Sequence, residues 1–413
     1  MTAAPAEARF RPISLDAVNF LLADVRGALG PYLNVFLVTQ QNWSQSEVGV
    51  VTTVGGLLSL LVQTPIGGAI DKTRAKRGAI VLALVVLALG AVVIFAAPRF
   101  WPVAIANTLM ATVGDVFGPA VAALTLGLYT RKQLARRLGR NSAFDHAGNV
   151  AIAVAAGAVG YMFSQRAVFL LVPVFSLLAG LAVLSIPAGA IDDDRARDLR
   201  DDPGQPAQAA GYSILFKSHP LVIFGLCVML FHLGNAALLP LVGQKLAAAY
   251  PREATAMMSA CIVAAQLVMV PVAWLVGVKA DVWGRKPLLL AGFMILPLRG
   301  VLYTLSSDPY WLVAVQMLDG VGAGVFGALF PVIVKDLTQG TGRFNVSLGA
   351  LSTAFGLGAA LSSSLAGFVV QWAGYNAAFL TLAGVAAVAL GLLWVAMPET
   401  QANPTLHRHT TPA

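Results

Sequence analysis

The chain has 413 residues, of which 58% are hydrophobic and only 11% are charged, and its mean hydropathy is +0.77. Soluble domains carry roughly a quarter charged residues, so this composition excludes a soluble globular protein and predicts an all-α polytopic membrane protein. The net charge of +8 does not indicate nucleic-acid binding, because the basic residues cluster in short loops between apolar runs.

Twelve apolar runs follow one another along the chain, and each is long enough to cross a bilayer as a helix of roughly 20 residues. The first six are predicted at about 14–38, 48–70, 78–97, 102–129, 141–163 and 167–186. The second six are predicted at about 220–243, 257–276, 287–306, 310–334, 345–370 and 375–397. The fold class expected is twelve transmembrane helices in two six-helix bundles.

The spacing of the runs divides the chain into four parts. They are an N-terminal six-helix bundle (1–186), a cytoplasmic linker (187–219), a C-terminal six-helix bundle (220–400) and a cytoplasmic tail (401–413). The linker contains a charged run from Asp192 to Asp202 followed by Pro203. That composition is typical of a solvated connection rather than an acidic metal site.

Several patterns associated with cofactors and catalysis are absent or misplaced. Cys227 and Cys261 both fall inside apolar runs, which favours reduced packing residues over a disulfide or a metal pair. The stretch from Gly322 to Gly327 matches G-x-G-x-x-G, but it lies inside a predicted span with no preceding strand. We therefore expect no cofactor, no metal site and no enzymatic activity.

A basic loop occurs twice, once in each half. The second copy runs from Gly277 to Lys286, and the first copy runs from Gly67 to Arg77, 210 residues earlier. Glycine permits a tight turn, and Asp281 is expected to accept hydrogen bonds from the free N–H groups of the following helix. The positive charge beside a span marks both loops as cytoplasmic.

Three further matches relate the halves at offsets of 209 or 210 residues, which predicts pseudo-symmetric bundles. They pair 26–31 with 235–240, 116–118 with 325–327 and 167–169 with 377–379. With both termini inside, 21 of the 27 basic residues fall on the cytoplasmic side, and four fall outside. This bias predicts a multi-pass protein of the plasma membrane, the inner membrane in a bacterium, with both termini cytoplasmic.

The second loop resembles the loop signature of the major facilitator superfamily of secondary transporters. The first copy keeps Gly67, Asp71 and Lys72 but has Arg74 where the family usually has glycine. The resemblance implies alternating access around a site at the interface of the two halves. It also implies a latch that holds one access state, which would fall on Gly277, Asp281, Gly284, Arg285 and Lys286, and more weakly on Asp71, Lys72 and Arg77. The alternative is that these residues act only as orientation signals.

Charges inside spans are costly in a bilayer and are therefore candidates for function. Asp24 and Arg26 lie in the first span, and Arg26 corresponds by the repeat to Asn235, three residues after His232. We predict Arg26 to be a cavity or gate residue, with a packed ion pair as the alternative. His232 could titrate in a useful range, but a lone histidine among apolar residues is more often a satisfied hydrogen-bonding group.

Two further spans carry polar residues on a stripe of small residues. Span 4 has Asn107 and Asp115, and span 10 has Gln316 and Asp319. Small residues allow close helix approach, so the polar members line either a helix contact or a water-filled cavity. Asp115 and Asp319 are candidate protonation sites, because burial favours the neutral form of a carboxyl group. Arg299 in span 9 is expected to form a structural pair.

Together these features favour proton-coupled efflux of a small organic molecule by a monomer whose partners are its substrate, protons and the lipid bilayer. Two departures from the proton-coupled exporters weaken this prediction. They are Asn107 in place of an arginine, and a run from Gly148 to Gly157 without the Gly-Pro motif. The alternative is uptake of a small organic anion, with Arg26 as counter-charge. A sensor built on a transporter fold would need an additional domain.

Overall fold

The computed structural model describes residues 11–23, 25, 29–192, 218–339 and 344–401, and the regular elements in these ranges are all helical. In the first half the helices are α1 (Pro12–Leu22), α2 (Gly30–Gln40), α3 (Gln45–Lys72), α4 (Lys76–Ala96), α5 (Phe100–Leu128), α6 (Arg131–Met162) and α7 (Leu171–Leu184). Short 3-10 turns span Arg166–Leu170 and Ala188–Ala190. Asp24, Arg26, linker residues 193–217 and tail residues 402–413 lie outside the described ranges.

The second half contains six further helices. They are α8 (His219–Asn235), α9 (Leu238–Ala249), α10 (Ala254–Trp283), α11 (Arg285–Leu305), α12 (Pro309–Leu337) and α13 (Phe344–Ala396). Helices α1 and α2 form one crossing and α8 and α9 another, whereas α13 contains two. In the described ranges this gives the twelve predicted crossings. Nine helical segments there are long and apolar enough to cross a membrane, and one of them, Val346–Ala396, contains two of the crossings.

Two helix boundaries differ from the sequence prediction. Helix α6 begins at Arg131, about three turns before the predicted residue 141, because Thr130 and Gln133 form a capping box ahead of the apolar run. Helix α13 runs through the predicted break, and only Gly374 leaves helical geometry, with φ of 80°. Glycine adopts that left-handed conformation without the penalty that a Cβ would bring.

The helix boundaries reproduce the internal repeat. Helices α4 and α5 have the same lengths, 21 and 29 residues, as α11 and α12. Both ends of each pair are offset by 209 residues. The repeat found in the sequence is therefore a repeat of helical structure.

The chain forms two compact units. The first comprises Met1–Gln205, Leu239–Val263 and Ser363–Gln371. Within it, α4 packs against both α5 and α7, α3 packs against α5, and α1 packs against α6 and α7. Its core contains Phe36, Phe117 and Phe169, which are completely or almost completely enclosed.

The second unit comprises Pro206–Leu238, Ala264–Ser362 and Trp372–Ala413. Helix α11 packs along α12, and α8 contacts both. Phe224 and Phe293 are enclosed there, and so are Arg299 and Tyr303. A fully enclosed arginine needs hydrogen-bond acceptors or an anion beside it, so the contact between α11 and α12 is a candidate for the functional site.

Large apolar side chains cover the outside of these helices. Leu61, Trp372 and Val395 are 73%, 85% and 80% exposed. Water would make such a surface aggregate, whereas lipid chains solvate it. The exposed surface therefore has the character that the composition predicts for a membrane-spanning protein.

Candidate functional site

A chain of polar side chains crosses the second unit between α8, α11 and α12. Arg299 of α11 forms an ion pair with Asp319 of α12 and donates a second bond to the side-chain amide oxygen of Asn235 in α8. Gln316 donates to Asp319 at 3.0 Å and accepts a bond from the Tyr303 hydroxyl. The planar guanidinium suits this arrangement, because its fork can serve two acceptors on different helices.

Burial makes this network energetically demanding. Arg299 is 2% exposed and Gln316 is fully enclosed, so a charge or amide without a partner would cost several kcal/mol, on the order of 3–5 for a broken pair. Among the described residues, the Nε of Arg299 nevertheless has no hydrogen-bond acceptor. One donor of the guanidinium is therefore buried without a protein partner, which is a cost that the rest of the network has to offset.

His232 lies one turn before Asn235 and is enclosed by aromatic rings. Its ring centroid is 3.6 Å from that of Phe355, 4.9 Å from Phe326 and 5.2 Å from Phe231. The imidazole is 7% exposed, and its Nε2 has no hydrogen-bond partner among the described residues. The role of His232 therefore stays a prediction, with one imidazole nitrogen that has no partner among the described residues.

The polar stripe of span 4 forms a helix contact in the first unit. Asp115 accepts a hydrogen bond from the Ser59 hydroxyl of α3. Asn107 donates to the backbone oxygen of Val51 at 3.4 Å, also on α3. Of the two interpretations that the sequence left open, the contact is the one these bonds support, because both polar side chains of α5 are directed at α3.

The predicted candidates therefore fall into three groups. Asn235, Gln316 and Asp319 are joined in one network, with His232 on the same helix as Asn235. Asn107 and Asp115 bind α3 in the other unit. Asp24 and Arg26 lie outside the described residues.

The second basic loop is ordered by charges and by a glycine. Arg285 pairs with Asp281 at 2.8 Å and with Asp336 of α12 at 3.0 Å. Gly284 has φ of 86° and is followed directly by α11, and a Cβ added there would lie 2.8 Å from a carboxylate oxygen of Glu399. The turn thus requires glycine for both its conformation and its space.

One prediction for this loop is wrong. Asp281 does not accept the N–H groups at the start of α11, and its side chain is 79% exposed. Glu399, after the last helix, accepts the N–H groups of Arg285 and Lys286, both at 3.1 Å. A carboxylate stabilises the positive end of the helix dipole, and Glu399 reaches that end because the chain returns past α11.

The first basic loop makes different contacts. Arg77 donates to the Leu184 carbonyl oxygen at the end of α7, at 2.8 Å. Lys76, which is 1% exposed, donates to the Thr73 carbonyl oxygen at 2.8 Å and aligns with Arg285 at the 209-residue offset. The side chains of Asp71 and Lys72 lie outside the described part.

Sequence reasoning missed several members of these sites. Arg299 was expected to form a structural pair, and it does pair, but with a predicted protonation site inside the bilayer region. The sequence could have indicated Tyr303 as a member of the network, because it lies one turn after Arg299 on the same face of the helix. Asp336, Glu399 and Lys76 carry no such signal, because their partners are distant in sequence or are backbone atoms.

Small residues bring helices from both halves of the sequence together within the first unit. The Tyr32 hydroxyl and the Ser259 hydroxyl are 2.8 Å apart. A Cβ added at Gly157 would lie 2.8 Å from Ser259, and one at Gly160 would overlap Thr255. The end of α6 thus packs directly on the beginning of α10, with no room for larger residues.

Comparison with known proteins agrees with this architecture. A family model described as Major Facilitator Superfamily (MFS) matches residues 15–296 and 251–412. A Mycobacterium tuberculosis protein described as an uncharacterized MFS-type transporter is 50% identical over 388 residues, or 94% of this chain and 93% of that protein. A Deinococcus radiodurans protein provisionally named a sugar efflux transporter is 24% identical over 397 residues, or 92% and 97% of the two chains.

A solved structure supplies the corresponding evidence for the fold. The crystal structure of the nucleoside transporter NupG superimposes with a TM-score of 0.74 at 15% sequence identity, covering 93% of this chain and 98% of that one. At this identity the likeness shows a shared fold alone. Because the family model covers most of the sequence and the mycobacterial protein is half identical along nearly its full length, this chain belongs to the Major Facilitator Superfamily of secondary transporters.

Proposed function

We propose that this transporter exports a small polar organic molecule in exchange for protons. The observation that carries the proposal is the Arg299–Asp319 ion pair, which is hydrogen-bonded to Asn235 and Gln316 inside the second unit. An intramembrane acid and base held together are costly, and such groups mark substrate and proton pathways. The name of the Deinococcus radiodurans relative supports efflux as the direction.

Protonation of Asp319 provides the coupling step. A carboxylate accepts strong hydrogen bonds from a substrate hydroxyl, whereas a protonated carboxyl group accepts only weaker ones, so proton uptake by Asp319 releases the substrate. Asn235 is half-buried, and its amide can both donate bonds to and accept bonds from a substrate hydroxyl. Proton binding and substrate binding then compete for the same carboxylate, which is the requirement for exchange.

Asp115 is a second candidate for proton transfer. Its partner is the neutral hydroxyl of Ser59, and no cation among the described residues forms an ion pair with it. It can therefore exchange a proton at a smaller electrostatic cost than Asp319, whose proton must displace an ion pair. We assign Asp319 the coupling role because its carboxylate, which is 26% exposed, belongs to the network of Asn235 and Gln316 in which a substrate hydroxyl can bind.

Alternating access requires contacts that open and close. The tight packing of Gly157 and Gly160 against Ser259 and Thr255 suits a closed contact, because small facing residues permit close approach without interlocking side chains. By the charge bias this end of α6 faces the outside, and both termini face the cytoplasm of a bacterial cell membrane. Separation of this contact would admit the substrate to the outer side.

The second basic loop serves as the latch in this proposal. Arg285 holds Asp281 of α10 and Asp336 of α12, while Glu399 holds the start of α11. These bonds join the ends of three helices and the segment after α13. The latch then stabilises one access state, as the family resemblance implies, and the protein acts as a monomer.

The test uses purified full-length protein in proteoliposomes with an imposed pH gradient. Sugars and small organic anions are supplied as candidate substrates on either side. Exchange moves substrate against the direction of proton flow whatever the orientation of the protein, whereas co-transport moves both in the same direction. Substrate movement that ignores the pH gradient would remove proton coupling, and accumulation of an organic anion along the proton flow would favour uptake instead.

A further inference from the structure

A second polar site lies at the end of the first unit where α6 begins, far along that helix from its contact with α10. A cavity of about 220 Å³ is lined by Pro12, Tyr129, Gln133, Arg136, Arg137 and Arg140. Three of these six residues are arginines. This site shares no residue with the proposed transport network.

The arginines are only partly neutralised. Asp16, which is 1% exposed, pairs with Arg137 at 2.7 Å and with Arg140 at 2.6 Å. Arg137 also donates to Asn141 at 2.8 Å and to the Tyr129 hydroxyl at 3.3 Å, which fixes its guanidinium within the wall. One carboxylate therefore balances two cations that are held in place.

Arg136 adds a third cation and is solvent-exposed. Among the described residues it forms no ion pair, and the Arg140 side chain remains 55% exposed beside it. Counted over Asp16 and the described residues of the lining, the cavity has an excess of two positive charges, one of them on the exposed Arg136. Since the guanidinium fork matches the geometry of phosphate oxygens, the natural occupant is a phosphate group.

We infer that this cavity binds a phosphate ester, either as the headgroup of an anionic phospholipid or as a soluble phosphate compound. Its volume is below the roughly 300 Å³ at which pockets for drug-sized ligands begin, so it suits a headgroup rather than a transported drug. The charge bias places this end at the cytoplasmic surface, where anionic headgroups concentrate and basic pockets between helices bind them. The site anchors α1 to α6 and stabilises the first unit when occupied.

The test compares the two sources of phosphate on the full-length protein. In one arm the protein is placed in nanodiscs of phosphatidylcholine, with or without phosphatidylglycerol, and retained lipid is counted by native mass spectrometry. In the other arm, protein in neutral detergent is titrated with inorganic phosphate while its thermal midpoint is followed. Phosphatidylglycerol retention without a phosphate response identifies the lipid, and a phosphate response alone identifies a soluble ligand.

The variant is Arg136→Gln, which removes a cation without breaking a described ion pair. The matched control is Arg74→Gln, because Arg74 is exposed in the basic loop at the same predicted surface but does not line the cavity. We expect Arg136→Gln to weaken binding about fivefold, as follows from the attraction contributed by one basic side chain near an anionic surface. Equal losses in both variants would show general surface attraction and overturn the site, as would the absence of binding in both arms.

Discussion

Replacement of Asp319 by asparagine isolates the charge of the buried ion pair. The amide is nearly the same size and can still accept the bond from Gln316, but it leaves Arg299 without an anion. Loss of one member of a buried pair costs about 3–5 kcal/mol, and the lower end applies because the Asp319 side chain is 26% exposed. We expect a loss of about 3 kcal/mol, which for a chain of this length lowers the thermal midpoint by about 3–4 °C.

A transport assay distinguishes an ion pair that acts in transport from one that only stabilises the fold. In proteoliposomes, the Asp319→Asn protein should lose the acceleration of transport by a pH gradient, because its amide cannot take up a proton. The matched control is Asp308→Asn on the same helix. Asp308 caps α12 by accepting the Trp311 N–H at 2.9 Å, and asparagine is an equally good cap. That control should keep both its stability and its response to the gradient.

A variant in which both members of the ion pair are replaced tests stability and transport separately. Arg299→Met with Asp319→Leu removes both charges and fills the space with apolar atoms, so we expect much of the stability lost in the single variant to return. Transport should not return, because neither a proton acceptor nor a cation remains. Gradient-driven transport in this double variant, or in Asp319→Asn, would refute the reasoning that the pair couples substrate to protons.

Three further predictions concern the loop and the helix contact. Glu399→Gln should destabilise the protein by about 1 kcal/mol, through loss of a charged acceptor at the start of α11. An unchanged unfolding midpoint would contradict that role. Gly284→Ala should cost about 1–2 kcal/mol, because its φ of 86° strains any residue with a Cβ. Equal stability of the alanine protein would contradict the strain. Gly160→Leu should keep this contact from closing and slow transport strongly, because even a Cβ at this position would overlap Thr255. Transport at the unaltered rate would show that this contact need not close.

Much of the fold follows from sequence because a bilayer leaves few choices. Lipid cannot hydrogen-bond a backbone, so each apolar run of sufficient length becomes a helix, and twelve such runs fix the architecture. Where the prediction erred, polar residues extended a helix beyond the apolar run. Helix α6 begins at Arg131 because capping and helix propensity, rather than hydropathy, decide where it starts outside the membrane.

The candidate site was only partly predictable for a different reason. Asp319, Gln316 and Asn235 stood out individually as polar residues in apolar runs, but their connection depends on how α8, α11 and α12 pack. Arg299 joins them across 20 and 64 residues of sequence. Glu399 reaches α11 across 113 and 114 residues. Neither spacing follows from periodicity, which reports the faces of a helix and not its partners.

The repeat gives an independent reason to regard the ion pair as functional. At the 209-residue offset, Arg299 and Asp319 correspond to Gly90 and Met110, which also face each other, since a Cβ on Gly90 would lie 2.5 Å from the Met110 side chain. The same helix contact is thus made in the first half without any charge.

Close packing of these helices therefore does not require an arginine and an aspartate. A buried ion pair is generally no more stabilising than apolar residues of similar volume, so stability alone gives no reason for the second half to carry one. Gln316 corresponds to Asn107 at the same offset, so a polar amide is common to both halves while the charged pair is specific to one. The difference between two otherwise matching helix pairs supports our proposal that the ion pair of the second half acts in transport.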